Sequence, residues 1–183
     1  PDLPGSVHFI PQAPQLDAKG IFRAVLHAKI AQIAAAFVIG ILHDTARFIR
    51  AFAGESGQLL TRIIEAIKLQ RSQVYLTTAV KCISPGAPGD DALEACLPYL
   101  QRQIEIIQPD IICALGPVTA RILQDPAAGS VPPRGTLYRM GGILVMPTHH
   151  PELLLSRPEL KNETWKDVQI IQRELESGTT RKQ

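Results

Sequence analysis

The residues best suited to chemistry in this chain are Thr148-His149-His150-Pro151-Glu152-Leu153-Leu154, which follow the apolar run Ile143-Leu144-Val145-Met146. Imidazole is the side chain whose ordinary titration range lies nearest neutrality, so a pair of them can donate a hydrogen bond, move a proton or steady a developing negative charge. Proline fixes its own φ and biases the residue before it toward extended backbone, so His150 is presented at a set angle and not wound into a helix. A strand that runs out into His-His-Pro delivers its rings to the rim of a sheet. Taken alone, the motif reads more readily as the cap of a loop; what changes that reading lies upstream. The other reactive groups are Cys82, Cys96 and Cys113. An odd number of thiols at wide spacing argues against a disulfide framework and for a reducing cytoplasm.

The bulk properties are consistent with a single domain over residues 1–183. A chain of this length with 45% hydrophobic residues can bury one sizeable core. A net charge of +2 and a pI near 8.6 permit nucleic acid as a partner without demanding it. The most apolar stretch, residues 30–42, is shorter than the roughly twenty residues that span a bilayer. Nothing resembles a charged segment followed by a small-residue cleavage site, so the expectation is a cytoplasmic monomer with no membrane association. The chain opens on Pro1, which points to a processed or incomplete beginning, and residues 1–20 read as loop.

The elements that must position the histidines follow from periodicity. Residues 21–36 are consistent with a helix, and Phe37-Val38-Ile39 with a buried strand. Gly54-Glu55-Ser56-Gly57 reads as a turn before a helix whose inner face is Leu59, Leu60, Ile63, Ile64 and Ile67. Residues 74–80 are β-branched and aromatic enough for a strand, followed by a Pro/Gly loop over 84–89. Asp91 and Glu94 have capping-box spacing at the head of a helix carried by Leu93, Leu97, Leu100, Ile104 and Ile107 and stopped by Pro109. Ile111-Ile112-Cys113-Ala114-Leu115 is a continuous apolar run, the mark of a strand buried on both faces, and Gly116-Pro117 turns it into a short helix over 118–123. A hairpin-like excursion through Tyr138 leads to the strand that ends at the histidines. A last helix over 162–176 has Trp165, Val168, Ile171 and Leu175 on its inner stripe, and 177–183 is a polar tail. Strands alternating with helices predict an α/β fold: a three-layer α/β/α sandwich around a mainly parallel sheet.

In such a sheet the ligand crevice lies beyond the carboxyl ends of the strands. The residues at those ends form a recognisable set: Phe52-Ala53-Gly54 with Gly57-Gln58-Leu59-Leu60, Val74-Tyr75-Leu76-Thr77 with Val80-Lys81-Cys82, Cys96-Leu97-Pro98-Tyr99-Leu100 with Gln103-Ile104, Ala114-Leu115-Gly116, and Thr148-His149-His150-Pro151 with Leu153-Leu154 and Trp165-Lys166-Asp167. Together these blocks, over about 52–176, resemble the iron-sulfur uracil-DNA glycosylases of the uracil-DNA glycosylase superfamily. The resemblance implies base-excision repair: a uracil flipped out of DNA into a pocket and cut from its sugar by water. It implies that Phe52 stacks on the base, that His150 hydrogen-bonds the uracil carbonyl as negative charge develops, and that Leu153 and Leu154, with Arg157 nearby, enter the duplex as an apolar wedge. Lys81, Arg134, Arg157 and Lys161 are expected to meet phosphates.

The resemblance also implies parts that this chain supplies differently. Family members carry a Gly-Glu-x-Pro-Gly turn about a dozen residues before the stacking phenylalanine. Here residues 37–44 read Phe-Val-Ile-Gly-Ile-Leu-His-Asp, so Gly40 stands for the turn and Asp44 is the nearest carboxylate. The asparagine that reads the uracil edge is replaced by Thr78, whose hydroxyl has fewer hydrogen-bonding sites on a shorter arm. The implied four-iron cluster takes four thiolates. Cys82 and Cys96 match two of them and are expected close in space, while residues 1–50 contain no cysteine and Cys113 reads as a core residue. All of these departures except Thr78 fall before Phe52, which points to a truncated, frame-shifted or replaced stretch before about residue 51. Two further readings stand beside an enzyme that hydrolyses the N-glycosidic bond. One is a non-catalytic nucleic-acid-binding relative of the same fold; the other is a nucleotide-binding α/β domain that uses the Gly116-Pro117 turn for phosphate.

Overall fold

Strands and helices alternate along the chain. In the computed structural model, which describes residues 36–40, 52, 54–81, 89–124, 130 and 132–178, the strands are β1 (Ala36–Gly40), β2 (Val74–Thr78), β3 (Ile111–Leu115), β4 (Tyr138–Met140) and β5 (Ile143–Thr148). The helices are α1 (Glu55–Ala66), α2 (Asp90–Ile107), α3 (Pro117–Ile122), α4 (Pro151–Ser156) and α5 (Lys161–Ser177). The sheet order is β2-β1-β3-β5-β4. All neighbours are parallel except β4, which runs against β5 at the edge.

The central strand shows why there are three layers. Every residue of β3 is buried, and successive side chains of a strand point to opposite faces. Ile112 and Ala114, with Val145 of β5, pack on Leu93, Cys96, Leu100 and Ile104 of α2. Ile111, Cys113 and Leu115, with Leu144 and Met146, pack on Leu60 and Ile64 of α1 and on Val168 and Ile171 of α5. A strand apolar at every position can only lie between two such layers. The α/β/α sandwich and the mainly parallel sheet expected from the pattern are what the chain adopts.

Several local expectations are corrected. Gly54-Glu55-Ser56-Gly57 is not a free turn: Gly54 (φ 83) is the N-cap and α1 starts at Glu55. Helix α2 has no capping box, because it begins at Asp90 with Gly89 as the cap residue and no side-chain cap bond. Asp90 and Asp91 instead place two carboxylates at the positive end of the helix. Trp165 is 41% exposed. The inner face of α5 is Thr164, Asp167, Val168 and Ile171, so Val168 and Ile171 turn inward as expected, Leu175 packs against the same core, and Thr164 takes the place expected for Trp165. Strand β2 stops at Thr78, short of Val80. The helix expected over 21–36 and the loop at 1–20 lie outside the described residues. Phe37-Val38-Ile39 is a strand as expected, and β1 is central, hydrogen-bonded to β2 on one side and β3 on the other.

Register brings the strand ends together. Gly40 pairs with Thr78, Ile39 with Ala114, and Leu115 with Thr148. Thr78, Gly40, Leu115 and Thr148 therefore stand in one row along the carboxyl edge of the sheet, and His149 and His150 continue from the end of that row.

Candidate active site

His150 is held by the helix that it starts. Its backbone is extended (φ −70°, ψ 138°), as the following proline requires, and its ring caps α4 by accepting the Glu152 amide at Nδ1 over 3.3 Å. An acceptor at Nδ1 puts the proton of the neutral ring on Nε2, and that atom is turned away from bulk solvent. His150 is thus fixed as a donor. Behind it, Gly116 (φ +88) turns β3 into α3 and donates its amide to the Thr148 carbonyl over 2.8 Å. A Cβ at Gly116 would lie 3.7 Å from the Cβ of His150, so space is ordinary there and the backbone conformation is what calls for glycine.

Phe52 meets His150 from the other side. Their ring centroids are 5.8 Å apart, with planes tilted by 35°. Phe52 is 2% exposed and has φ 59, a conformation that costs a non-glycine residue energy and persists only where surroundings enforce it. Arg71 is the enforcing group: Nη2 donates to the Phe52 carbonyl over 3.3 Å, and Nη1 donates to the Gly57 carbonyl and to Thr61 Oγ1 over 3.2 and 2.7 Å. The Phe52 carbonyl lies so close over α1 that a Cβ at position 57 would overlap it.

His149 has a different environment. Its Nε2 lies 3.1 Å from Glu163 Oε2, and the same oxygen is 3.2 Å from Arg134 Nη2. Arg134 Nη1 reaches both oxygens of Asp167 at 2.8 Å, and Asp167 Oδ2 accepts the Thr148 hydroxyl over 2.6 Å. The His149 hydrogen bond and then the charge of Arg134 hold the Glu163 carboxyl below its usual range. One histidine faces an aromatic ring, and the other is tied into a chain of charges.

The remaining expected residues divide. The Thr78 hydroxyl donates to the Val80 carbonyl over 2.8 Å, so its one proton closes a local turn. Lys81 is not a solvated phosphate ligand: its ammonium reaches Thr77 Oγ1 and the Thr78 carbonyl at 2.7 and 2.5 Å, and burial pushes it down to about 8. Arg134 is engaged with Asp167 and Glu163 while its side chain stays 34% exposed. Arg157 and Lys161 are exposed. Leu153 is 36% exposed, but Leu154 is 1% exposed and belongs to the interior, so of the expected pair Leu153 alone faces outward, beside Leu155 at 38%. The Gly116-Pro117 turn is no phosphate cradle, since the Gly116 amide is used by Thr148 and Pro117 has none. Asp44 and Cys82 lie outside the described residues, and Gly40 is placed by its backbone alone.

The thiols do not suit a four-thiolate cluster. Cys96 packs on the α2 face of the sheet and Cys113 on the opposite face, so no single site takes both. The three cysteines of the sequence therefore offer at most two thiolates to one site. Cys96 Sγ accepts the Lys81 amide over 3.2 Å, and burial pushes the Cys113 thiol up to about 12. Among the described residues no group of three or more His, Cys, Asp or Glu side chains converges as a metal site.

Sequence reasoning passed over Glu163 and assigned Asp167 and Arg134 no structural part. The legible signal was a carboxylate on an otherwise inward-facing helix position, since a buried charge requires a partner.

Against known proteins, residues 34–169 match the uracil DNA glycosylase superfamily. The chain is 37% identical to a type-4 uracil-DNA glycosylase of Pyrobaculum aerophilum, over 67% of each chain. It is 38% identical to one of Sulfurisphaera tokodaii, over 67% of this chain and 60% of that one. It is 37% identical to one of Saccharolobus solfataricus, over 70% of this chain and 64% of that one. The chain thus spans roughly two thirds of the length of these relatives. The matched stretch begins ahead of Phe52 and takes in β1.

Proposed function

Because the chain belongs to the uracil DNA glycosylase superfamily, we propose that it removes uracil from DNA by hydrolysing the N-glycosidic bond, leaving an abasic site for base-excision repair. The observation that carries this reading is the contact between Phe52 and His150 at the carboxyl edge of the sheet. At 5.8 Å the two rings touch each other directly and leave no room for a third ring between them. A base entering here must part the two rings, taking the face of Phe52, which is 2% exposed, and the edge of His150.

In the reaction, the bond between uracil N1 and the sugar C1′ breaks with its electrons leaving on the base, and water adds its oxygen to C1′, losing one proton to solvent while the departed uracil anion takes one up. His150 Nε2–H donates to a uracil carbonyl oxygen and holds the negative charge that spreads there, an interaction that strengthens as the bond opens. Gly116 holds the turn behind His150 by donating its amide to the Thr148 carbonyl. Leu153 and Leu155 occupy the stack that the base has left, and Arg157 and Lys161 meet the phosphates beside it. No step passes through an iron-sulfur cluster, whose donor set this chain does not complete.

Single-stranded and double-stranded oligonucleotides with one uracil provide the test. Free uracil and an alkali-labile abasic strand are the expected products, and their absence with freshly folded protein would overturn the reading. One observation favours a second reading, a relative that binds DNA without cutting it: the Thr78 proton is committed to Val80, and the sequence neighbours of Gly40 are isoleucines where the family turn has a carboxylate. Tight binding to abasic DNA with no release of uracil would establish that alternative.

A further inference from the structure

Taking His150 as the imidazole that meets the base, we infer that Asp167 is the positioning residue of this site. It anchors Thr148 directly and His149 through Arg134 and Glu163, so that the residues leading into His150 cannot turn. The inference rests on the reading above for the role of His150 and goes beyond it in assigning the work of a group on α5 that touches no substrate.

Asp167 is 2% exposed and stands among Thr164, Val168 and Ile171, where an apolar side chain would pack at less cost. Both of its oxygens are used. Oδ1 accepts Arg134 Nη1, and Oδ2 accepts Arg134 Nη1 and Thr148 Oγ1, at 2.6 to 2.8 Å. Gly135 completes the contact, because a Cβ there would come within 2.8 Å of Asp167 Oδ1. The result is a fixed point for each residue before His150. The Pro147 carbonyl takes the Gly135 amide at 2.9 Å, and the Thr148 carbonyl takes the Gly116 amide at 2.8 Å. The Thr148 hydroxyl binds Asp167, and the His149 ring binds Glu163.

Only His150 keeps a ring directed at the aromatic wall, and its tautomer depends on meeting the Glu152 amide at the head of α4. A strand end free to rotate would lose that meeting point. Geometry held in advance is what lets a donor act on a transition state, and small misplacement is costly.

The full chain carries the test, with Thr148→Val, which keeps the side-chain shape and deletes the hydroxyl, Thr148→Ser as the conservative rescue, and Asp167→Asn as a second probe. Ring nitrogen NMR of His150 and exchange of the Glu152 amide are read beside kcat and KM on a uracil-containing strand. For Thr148→Val the expected result is a mixed tautomer at His150, Glu152 exchange faster by about tenfold, and kcat lower by on the order of tenfold to a hundredfold with KM little changed. Thr148→Ser restores all three. A native tautomer and native Glu152 exchange in Thr148→Val would overturn the inference, even if Asp167→Asn failed to fold. If the wild-type chain releases no uracil, the glycosylase reading falls, while the tautomer and exchange still decide whether the anchor sets His150.

Discussion

Phe52 and His150 come from opposite ends of the fold, one preceding α1 and the other closing β5, and meet ring to ring at 5.8 Å. If this meeting is the base-binding wall, His150→Ala removes the donor and lowers uracil release by about a hundredfold or more, the scale of losing an oxyanion donor. His149→Ala acts through Glu163 and Arg134 and costs much less. Single-turnover rates on the same oligonucleotide compare the two, and equal losses would place the site on the wrong residue.

Phe52 has a packing role as well as a chemical one. Truncation to alanine is expected to cost about 3–5 kcal/mol of stability, since the ring is fully enclosed. Phe52→Leu refills most of that space and lacks the aromatic face. It is expected to lose about 1.5 kcal/mol or less while binding uracil-containing DNA distinctly more weakly, a separation that denaturant melts and fluorescence binding can read.

Neighbouring leucines should behave oppositely. Leu154→Ala leaves a cavity in the interior and is expected to cost about 2–5 kcal/mol. Leu153→Ala changes stability by no more than about 0.5 kcal/mol and weakens binding to a duplex with an abasic site. Urea unfolding and gel shifts on both variants check this, and a destabilised Leu153→Ala would argue against its exposure.

Cys113 supplies a pH prediction. Its thiol is held near 12 by burial, against an ordinary value of 9.0, with the Asp167 charge adding to the shift. The folded thiol stays protonated while the unfolded one ionises, so its contribution is intact below pH 9 and is lost as pH rises from there toward 12. Between pH 8 and pH 10 the wild type should lose about 1.4 kcal/mol relative to Cys113→Ala. Paired urea melts at the two pH values measure it, and parallel curves would exclude the effect.

What could be read beforehand divides along physical lines. Strand β3 was legible to the residue because five consecutive apolar side chains have one interpretation in an alternating chain. The extended backbone of His150 was legible because a proline follows it. Leu154 was misread because α4 is a turn and a half long, too short for a helical period to declare which leucine turns inward. Trp165 was misread because its spacing to Val168 fits the inner face as well as that of Thr164 does. The link from Arg134 to Asp167 joins residues 33 positions apart through charges alone, and no local pattern encodes such a contact.

The short strand β4 has a consequence for how this protein behaves in a crowded solution. Open sheet edges recruit other chains, and β5 carries the site past the point where β4 ends, its last partner being Val145. In a strand, the amide and carbonyl of one residue point to the same side. The Pro147 carbonyl faces outward to Gly135, so the position where a donor would be bare on that side is the one occupied by proline, which has none to offer. The rim of β5 beside the histidines is therefore a poor template for β-addition, and the strand that must stay accessible to a ligand resists being copied by its neighbours.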